Sequence, residues 1–292
     1  MAAPPIGRGI AKELDTANRD TLRALLERRG LRPVRGRGQH FLISPKVLDT
    51  VVDAAELSRA DRVVEIGPGL GPLTLRLARA VREVIAYEVD PRLASALREE
   101  VLAAHPNVRV VEADVLDVDL LASGPTRVVA NLPYQITSPV LERLLGDERR
   151  PPLSVVMVQQ EVAERLSGAT RSFLTVFAQC YAEVELVRRV SPRAFVPPPR
   201  VASAIVRLRA RVRPAFAPYP ARAVLALVSD AYRHRRKTLA SALGFEARLT
   251  RESALAALVD AGIATAVRPE ALELEQWRDL YGALVARGLR KS

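Results

Sequence analysis

A chain of 292 residues, 49% apolar and only 4% aromatic, has room for one sizeable domain and a smaller companion. No apolar run approaches the roughly 18 residues of a membrane span, and residues 1–30 lack the order of a signal peptide, so a cytoplasmic protein without membrane contact is expected. A single cysteine, Cys180, leaves no intrachain disulfide or thiolate cage, and His40, His105 and His234 have no ligand-like spacing, so no metal is expected.

The net charge of +11 is unevenly placed: +5 over residues 1–40, zero over 41–210 and +6 over 211–292. A neutral body with two basic flanks suits the holding of a polyanion, and equally a solvated surface.

Residues 1–37 read as a basic extension with one amphipathic helix over 19–29, ending at Gly30, then a Gly-rich basic stretch to Gly38. Val47, Leu48, Val51, Val52 and Ala55 predict a helix over 45–57. Strands are expected at 62–66, 83–87, 108–111, 127–130 and 153–158, with helices at 72–80, 91–104 and 139–145 between them. This alternation predicts an α/β fold with a doubly wound, mostly parallel, Rossmann-like sheet. Two strand-like runs at 182–190 and 201–209, with no helix between them, predict an antiparallel pair closing the sheet. From Pro214 onward the pattern is helical, with helices expected at 229–243, 253–261 and 272–286. The expected division is therefore extension 1–37, catalytic domain 38–210 and small helical domain 211–292.

Four strand ends carry the chemistry. Glu65-Ile-Gly67-Pro-Gly69-Leu-Gly71 follows the first strand and opens a helix. Its glycines let the backbone pass close beneath a ligand. The spacing is tighter than the G-x-G-x-x-G of a dinucleotide site, and suits a nucleoside carrying an amino-acid tail; a plain strand-to-helix turn would look the same. Glu88 ends the second strand, where a carboxylate meets ribose hydroxyls, and Asp114 follows the third, placed to accept from an adenine amine. The fourth strand runs into Asn131-Leu132-Pro133-Tyr134. An adenine amine is a poor nucleophile because its lone pair is delocalised into the ring. The Asn131 side-chain oxygen and a backbone carbonyl near Leu132 are candidate acceptors for both amine hydrogens. Pro133 lacks an N–H and fixes the local backbone, and Tyr134 offers a ring to stack on the base.

Together with Gly38-Gln-His-Phe-Leu42, Phe195-Val-Pro-Pro-Pro-Arg-Val201 and Arg235-Arg-Lys-Thr238, these motifs make the chain resemble the rRNA adenine N6,N6-dimethyltransferases. The resemblance covers most of the chain beyond the extension. It departs at Gln159-Gln160-Glu161 and in the short segment 167–173. It implies S-adenosyl-L-methionine as cofactor, flanked by His40 and Leu42, with Gly67 at its methionine end, Gly69 also binding it, Glu88 at the ribose, Asp114 at the adenine and Asn131 shared with the target. It implies that Phe195 stacks on a base flipped out of the RNA, opposite Tyr134. Its implied substrate is the 3′-terminal hairpin of small-subunit rRNA within a 30S precursor; the protein is expected to act as a monomer. Arg233, Arg235, Arg236 and Lys237 lie close together on the expected helix and form a basic ridge for phosphates. The competing readings are a large-subunit rRNA methyltransferase of the macrolide-resistance type and a non-catalytic rRNA-binding assembly factor.

Overall fold

The computed structural model describes residues 14–33, 38–246 and 249–290. Its centre is a seven-stranded sheet formed by β2 (Arg62–Ile66), β3 (Glu83–Glu88), β4 (Val108–Glu112), β5 (Arg127–Asn131), β6 (Leu153–Gln159), β7 (Ala182–Val190) and β9 (Ser203–Ala210). The spatial order is β4-β3-β2-β5-β6-β9-β7, with the first five strands parallel and β9 antiparallel to both its neighbours. The expected antiparallel closure is present, and β9 inserts between β6 and β7. Val63, Val64, Glu65 and Ile66 of β2 are all buried, because helices cover both faces of a parallel sheet. A short pair, β1 (Phe41–Leu42) with β8 (Phe195–Val196), was not legible from periodicity; two residues are too few to show any.

The helices are α1 (Arg19–Arg28), α2 (Pro45–Ala54), α3 (Pro72–Ala80), α4 (Pro91–Ala96), α5 (Thr137–Gly146), α6 (Gln160–Ser167), α7 (Phe173–Tyr181), α8 (Ala221–Arg233), α9 (Leu239–Glu246), α10 (Arg251–Asp260) and α11 (Leu274–Ala286). The helix expected over 91–104 is shorter: α4 passes into a π-helical turn at Leu97–Val101. The single helix expected over 229–243 is two. His234, at φ −117° and ψ 37°, leaves the helical region, and Thr238 restarts the chain, its carbonyl accepting from Ala242 N–H and its hydroxyl bonding Ser241 Oγ at 3.0 Å. Thr238, a residue type favoured at helix starts, is the one local hint of the restart.

The extension is folded where it is described. Asn18 Oδ1 caps α1 by accepting from Asp20 N–H at 2.9 Å and Thr21 N–H at 3.1 Å. Leu22, Leu25 and Leu26, at helical spacing, are buried together with Leu70, Leu75, Leu93 and Leu97. Arg28 and Arg29 pair with Glu100, and Arg29 also reaches Glu99 at 2.8 Å. The extension's described residues thus clamp the helices that follow β2 and β3. The basic Val34–Arg37 part of the stretch lies outside the described residues. At the other end of the chain, one apolar cluster runs from the sheet through α5 and α7 into α8–α11, so the C-terminal helices share a core with the sheet.

Candidate active site

The parallel strands end on one side of the sheet, and a cavity of about 440 Å³ opens there. Its wall contains His40, Leu42, Gly67, Gly69, Glu88, Asp114, Asn131, Leu132, Pro133, Tyr134 and Phe195, so residues taken from separate sequence motifs converge in one place. Open α/β sheets bind ligands at this edge because the strands end there and the helices that follow begin there.

The glycine loop shapes the floor. Gly67, Gly69 and Gly71 all have positive φ (68°, 59° and 79°). A Cβ on Gly69 would lie 3.1 Å from the Phe41 ring, and one on Gly71 would lie 2.5 Å from Leu97 Cδ1. A Cβ on Gly67 would stand 3.7 Å from the Asn131 carbonyl oxygen and from Pro133 Cδ, so the glycine loop and the Asn131–Tyr134 segment face each other.

Glu88 is buried, and its carboxylate accepts from Gly69 N–H and Asp90 N–H, each at 3.0 Å. Burial raises its pKa, while those backbone donors pull the other way. Asp114, also in the cavity wall, is exposed, its Oδ1 accepting from Leu116 N–H at 2.8 Å. Glu65 also lines the cavity, a residue quoted in the glycine motif but given no role by sequence. It is buried, its Oε2 lacks a hydrogen-bond partner among the described residues, and burial pushes its carboxyl up to about 8.

Asn131 Nδ2 donates to the His40 carbonyl at 3.4 Å. Since a carbonyl only accepts, this contact assigns the amide nitrogen to His40 and leaves Oδ1 as the amide's acceptor end. The Leu132 N–H donates to the Met157 carbonyl at 3.0 Å, and the Pro133 carbonyl accepts from Ile136 N–H and Thr137 Oγ1, so the turn is pinned on both sides. The Tyr134 ring stacks on the His40 imidazole, with centroids 6.0 Å apart and planes at 28°. His40 Nδ1 lies 2.7 Å from the Pro197 carbonyl, which requires the proton on Nδ1 and ties the segment before β1 to the Pro-rich segment. Burial raises the Tyr134 phenol, keeping it protonated, and its hydroxyl lies 2.9 Å from Ser203 Oγ. Ser203, first residue of β9, was missed from sequence; nothing local marks it, since only the sheet order brings it beside Tyr134.

Phe195 lies in the cavity wall, yet it is 1% exposed and belongs to a core cluster with Leu42 and Val190. Its side chain contributes to the wall while almost wholly covered by its neighbours. Arg233, Arg235, Arg236 and Lys237 are exposed and do not line the cavity; they surround the break between α8 and α9 instead of lying along one helix.

The sequence pattern of the ribosomal RNA adenine dimethylase family matches residues 35–285. Ribosomal RNA small subunit methyltransferase A of Dehalococcoides mccartyi is 41% identical, over 88% of this chain and 90% of its own. The protein of that name in Leuconostoc mesenteroides is 38% identical, over 94% and 98%. Among solved structures, a dimethyladenosine transferase from Plasmodium falciparum is similar with a TM-score of 0.75 and 25% identity, over 85% of this chain and 98% of that one. The 23S rRNA methyltransferase ErmE is similar with a TM-score of 0.68 and 33% identity, over 84% and 99%.

Proposed function

Because the chain belongs to the ribosomal RNA adenine dimethylase family, we propose that it transfers methyl groups from S-adenosylmethionine to the exocyclic amines of two adjacent adenosines in the 3′-terminal hairpin loop of 16S rRNA. The relatives named for the small subunit, at 41% and 38% identity across nearly the whole chain, support this target. The likeness to ErmE supports a second reading, methylation of 23S rRNA.

The cavity's donor set fits the cofactor. Gly67 and Gly69 bring Cβ-free, positive-φ backbone into the cavity wall, and Glu88 presents a buried carboxylate for vicinal hydroxyls. Glu65 adds a buried carboxyl with an unpartnered oxygen. Gly67 and Gly69 would hold the methionine end, Glu88 the ribose and Asp114 the adenine, with His40 and Leu42 closing over it. When bound, S-adenosylmethionine supplies an electrophilic methyl group on a sulfonium leaving group.

The chain's own task is alignment and polarisation of the amine. Asn131 Oδ1 and the Leu132 carbonyl accept from the two amine hydrogens, which localises the nitrogen lone pair toward the methyl carbon. With the cofactor held there, its methyl group would be within reach of the polarised nitrogen, and the methylated amine would then shed its proton to solvent. Pro133 fixes the turn, Tyr134 stacks on the flipped base, and Phe195 bounds the opposite wall. Arg233, Arg235, Arg236 and Lys237 contact RNA phosphates. In this reading residues 38–210 form the catalytic unit and 211–292 the RNA-holding helices, in a monomeric cytoplasmic protein acting on a 30S precursor.

The observation that carries the proposal is the Asn131 amide held against the His40 carbonyl inside the cavity. Asn131→Ala is expected to leave cofactor binding measurable by calorimetry while cutting turnover by about 100-fold or more, the scale of losing an oriented polar group at a reacting atom. Near-normal turnover would remove Asn131 from this role.

A further inference from the structure

Among the described residues, every Phe, Tyr and Trp side chain is buried or half-buried except one. Phe245, on α9, is 65% exposed. A large exposed ring costs solubility and contributes nothing to the core, so its surroundings decide what it is for. Those surroundings are basic. The α8–α9 break turns the chain so that Phe245 comes beside His234, with ring centroids 5.0 Å apart and planes at 39°. Arg233, Arg235, Arg236 and Lys237 flank His234 in sequence and are all exposed. Asp230, 3.9 Å from Arg233, offsets part of that charge.

An apolar peptide would find one ring and four cations here, a poor match. A polyanion with planar apolar faces finds both its needs met: cations for the phosphates and a ring for a base. We propose that Phe245, backed by His234, is a stacking platform for an unpaired nucleobase of the RNA whose phosphates engage Arg233, Arg235, Arg236 and Lys237. This rests on the rRNA-binding reading above and adds a base contact separate from the catalytic cavity, whose wall contains none of these residues. The helix break is part of the device: on one continuous helix the ring of residue 245 would lie about three turns from His234.

Phe245→Trp tests it directly, since the sole native tryptophan, Trp277, is fully buried and gives a separate background. The probes are a short single-stranded oligoadenylate and an abasic strand of equal length and charge. The proposal expects the oligoadenylate to quench the new tryptophan and the abasic strand to bind without comparable quenching. Phe245→Ala should weaken oligoadenylate binding by about 5- to 150-fold, the span of one base–aromatic stack, and leave abasic binding unchanged. Equal quenching by both strands, or unaltered oligoadenylate affinity in Phe245→Ala, would overturn the platform while leaving RNA binding standing. Failure of the unmodified protein to bind either strand would overturn both. Phe245 is exposed, so loss of folding does not confuse the result.

Discussion

The Tyr134 hydroxyl lies 2.9 Å from Ser203 Oγ, so the aromatic that ends the Asn131–Tyr134 segment is anchored to the first residue of the sheet's antiparallel strand. Ser203 is itself fixed, paired in register with Gln159 on one side and Val190 on the other. The ring is thus held at its hydroxyl by the sheet and at one face by His40. Its orientation is set before any base arrives.

Ser203→Ala is expected to lower turnover by about 2- to 12-fold, the worth of one net hydrogen bond, with cofactor affinity unchanged. Tyr134→Phe removes the same bond from the other side. The double variant should be no slower than the slower single variant, because both remove one interaction. Steady-state kcat together with cofactor Kd decides this; multiplicative losses would show that the two groups act separately.

The Glu65 carboxyl, pushed by burial to about 8 from an ordinary 4.5, makes stability depend on pH. Between those values the folded protein keeps a proton that the unfolded chain releases. Stability from this group is therefore complete at low pH and falls as pH rises from about 4.5 to about 8, by up to about 1.4 kcal/mol per pH unit. Glu65→Gln cannot ionise, so its melting temperature should gain on the parent's across this window and stay ahead above it. Parallel melting curves from pH 5 to 8, read by calorimetry, would contradict a buried neutral carboxyl.

Gly71→Ala should destabilise by about 1–3 kcal/mol, because it combines φ +79° with a Cβ 2.5 Å from Leu97 Cδ1. Gly69→Ala pushes instead on the Phe41 ring that closes the cavity, so its main effect should be weaker cofactor binding. Denaturant melts and cofactor titrations of the two variants separate these effects.

The N-terminal helix is expected to matter for the cofactor side. Leu25→Ala opens a cavity in the cluster shared with Leu70 and Leu97, at a cost of about 2–5 kcal/mol. Removing residues 1–32 should lower both the melting temperature and cofactor affinity, since Gly38–Leu42 line the cavity just beyond. A truncated protein with unchanged cofactor affinity would confine the helix to stability alone.

The parallel sheet was readable in the sequence because its strands are short apolar runs punctuated by glycines and prolines; β2, α3 and β7 have the predicted limits. The cavity's contents were readable for a related reason. In a parallel sheet the polar residues that end successive strands must meet, so Glu88, Asp114 and Asn131 converge whatever path the chain takes between them. Ser203 and the His40–Pro197 contact were not readable, because they depend on a strand inserted out of sequence order and on a two-residue pairing. The α8–α9 break was missed because no glycine or proline marks it: the helical pattern continues through His234 while the backbone does not. The docking of α1 was not readable for another reason: the +5 charge over residues 1–40 suits a solvated or polyanion-binding segment, while the leucine stripe beneath it decides where the helix lies.

The most direct test is to incubate the protein with labelled S-adenosylmethionine and either unmethylated small ribosomal subunits or large subunits, then map the modified adenines. The account predicts dimethyladenosine at two neighbouring positions in the 3′-terminal hairpin loop of 16S rRNA, abolished by Asn131→Ala. Label confined to 23S rRNA, or on neither subunit, would contradict it.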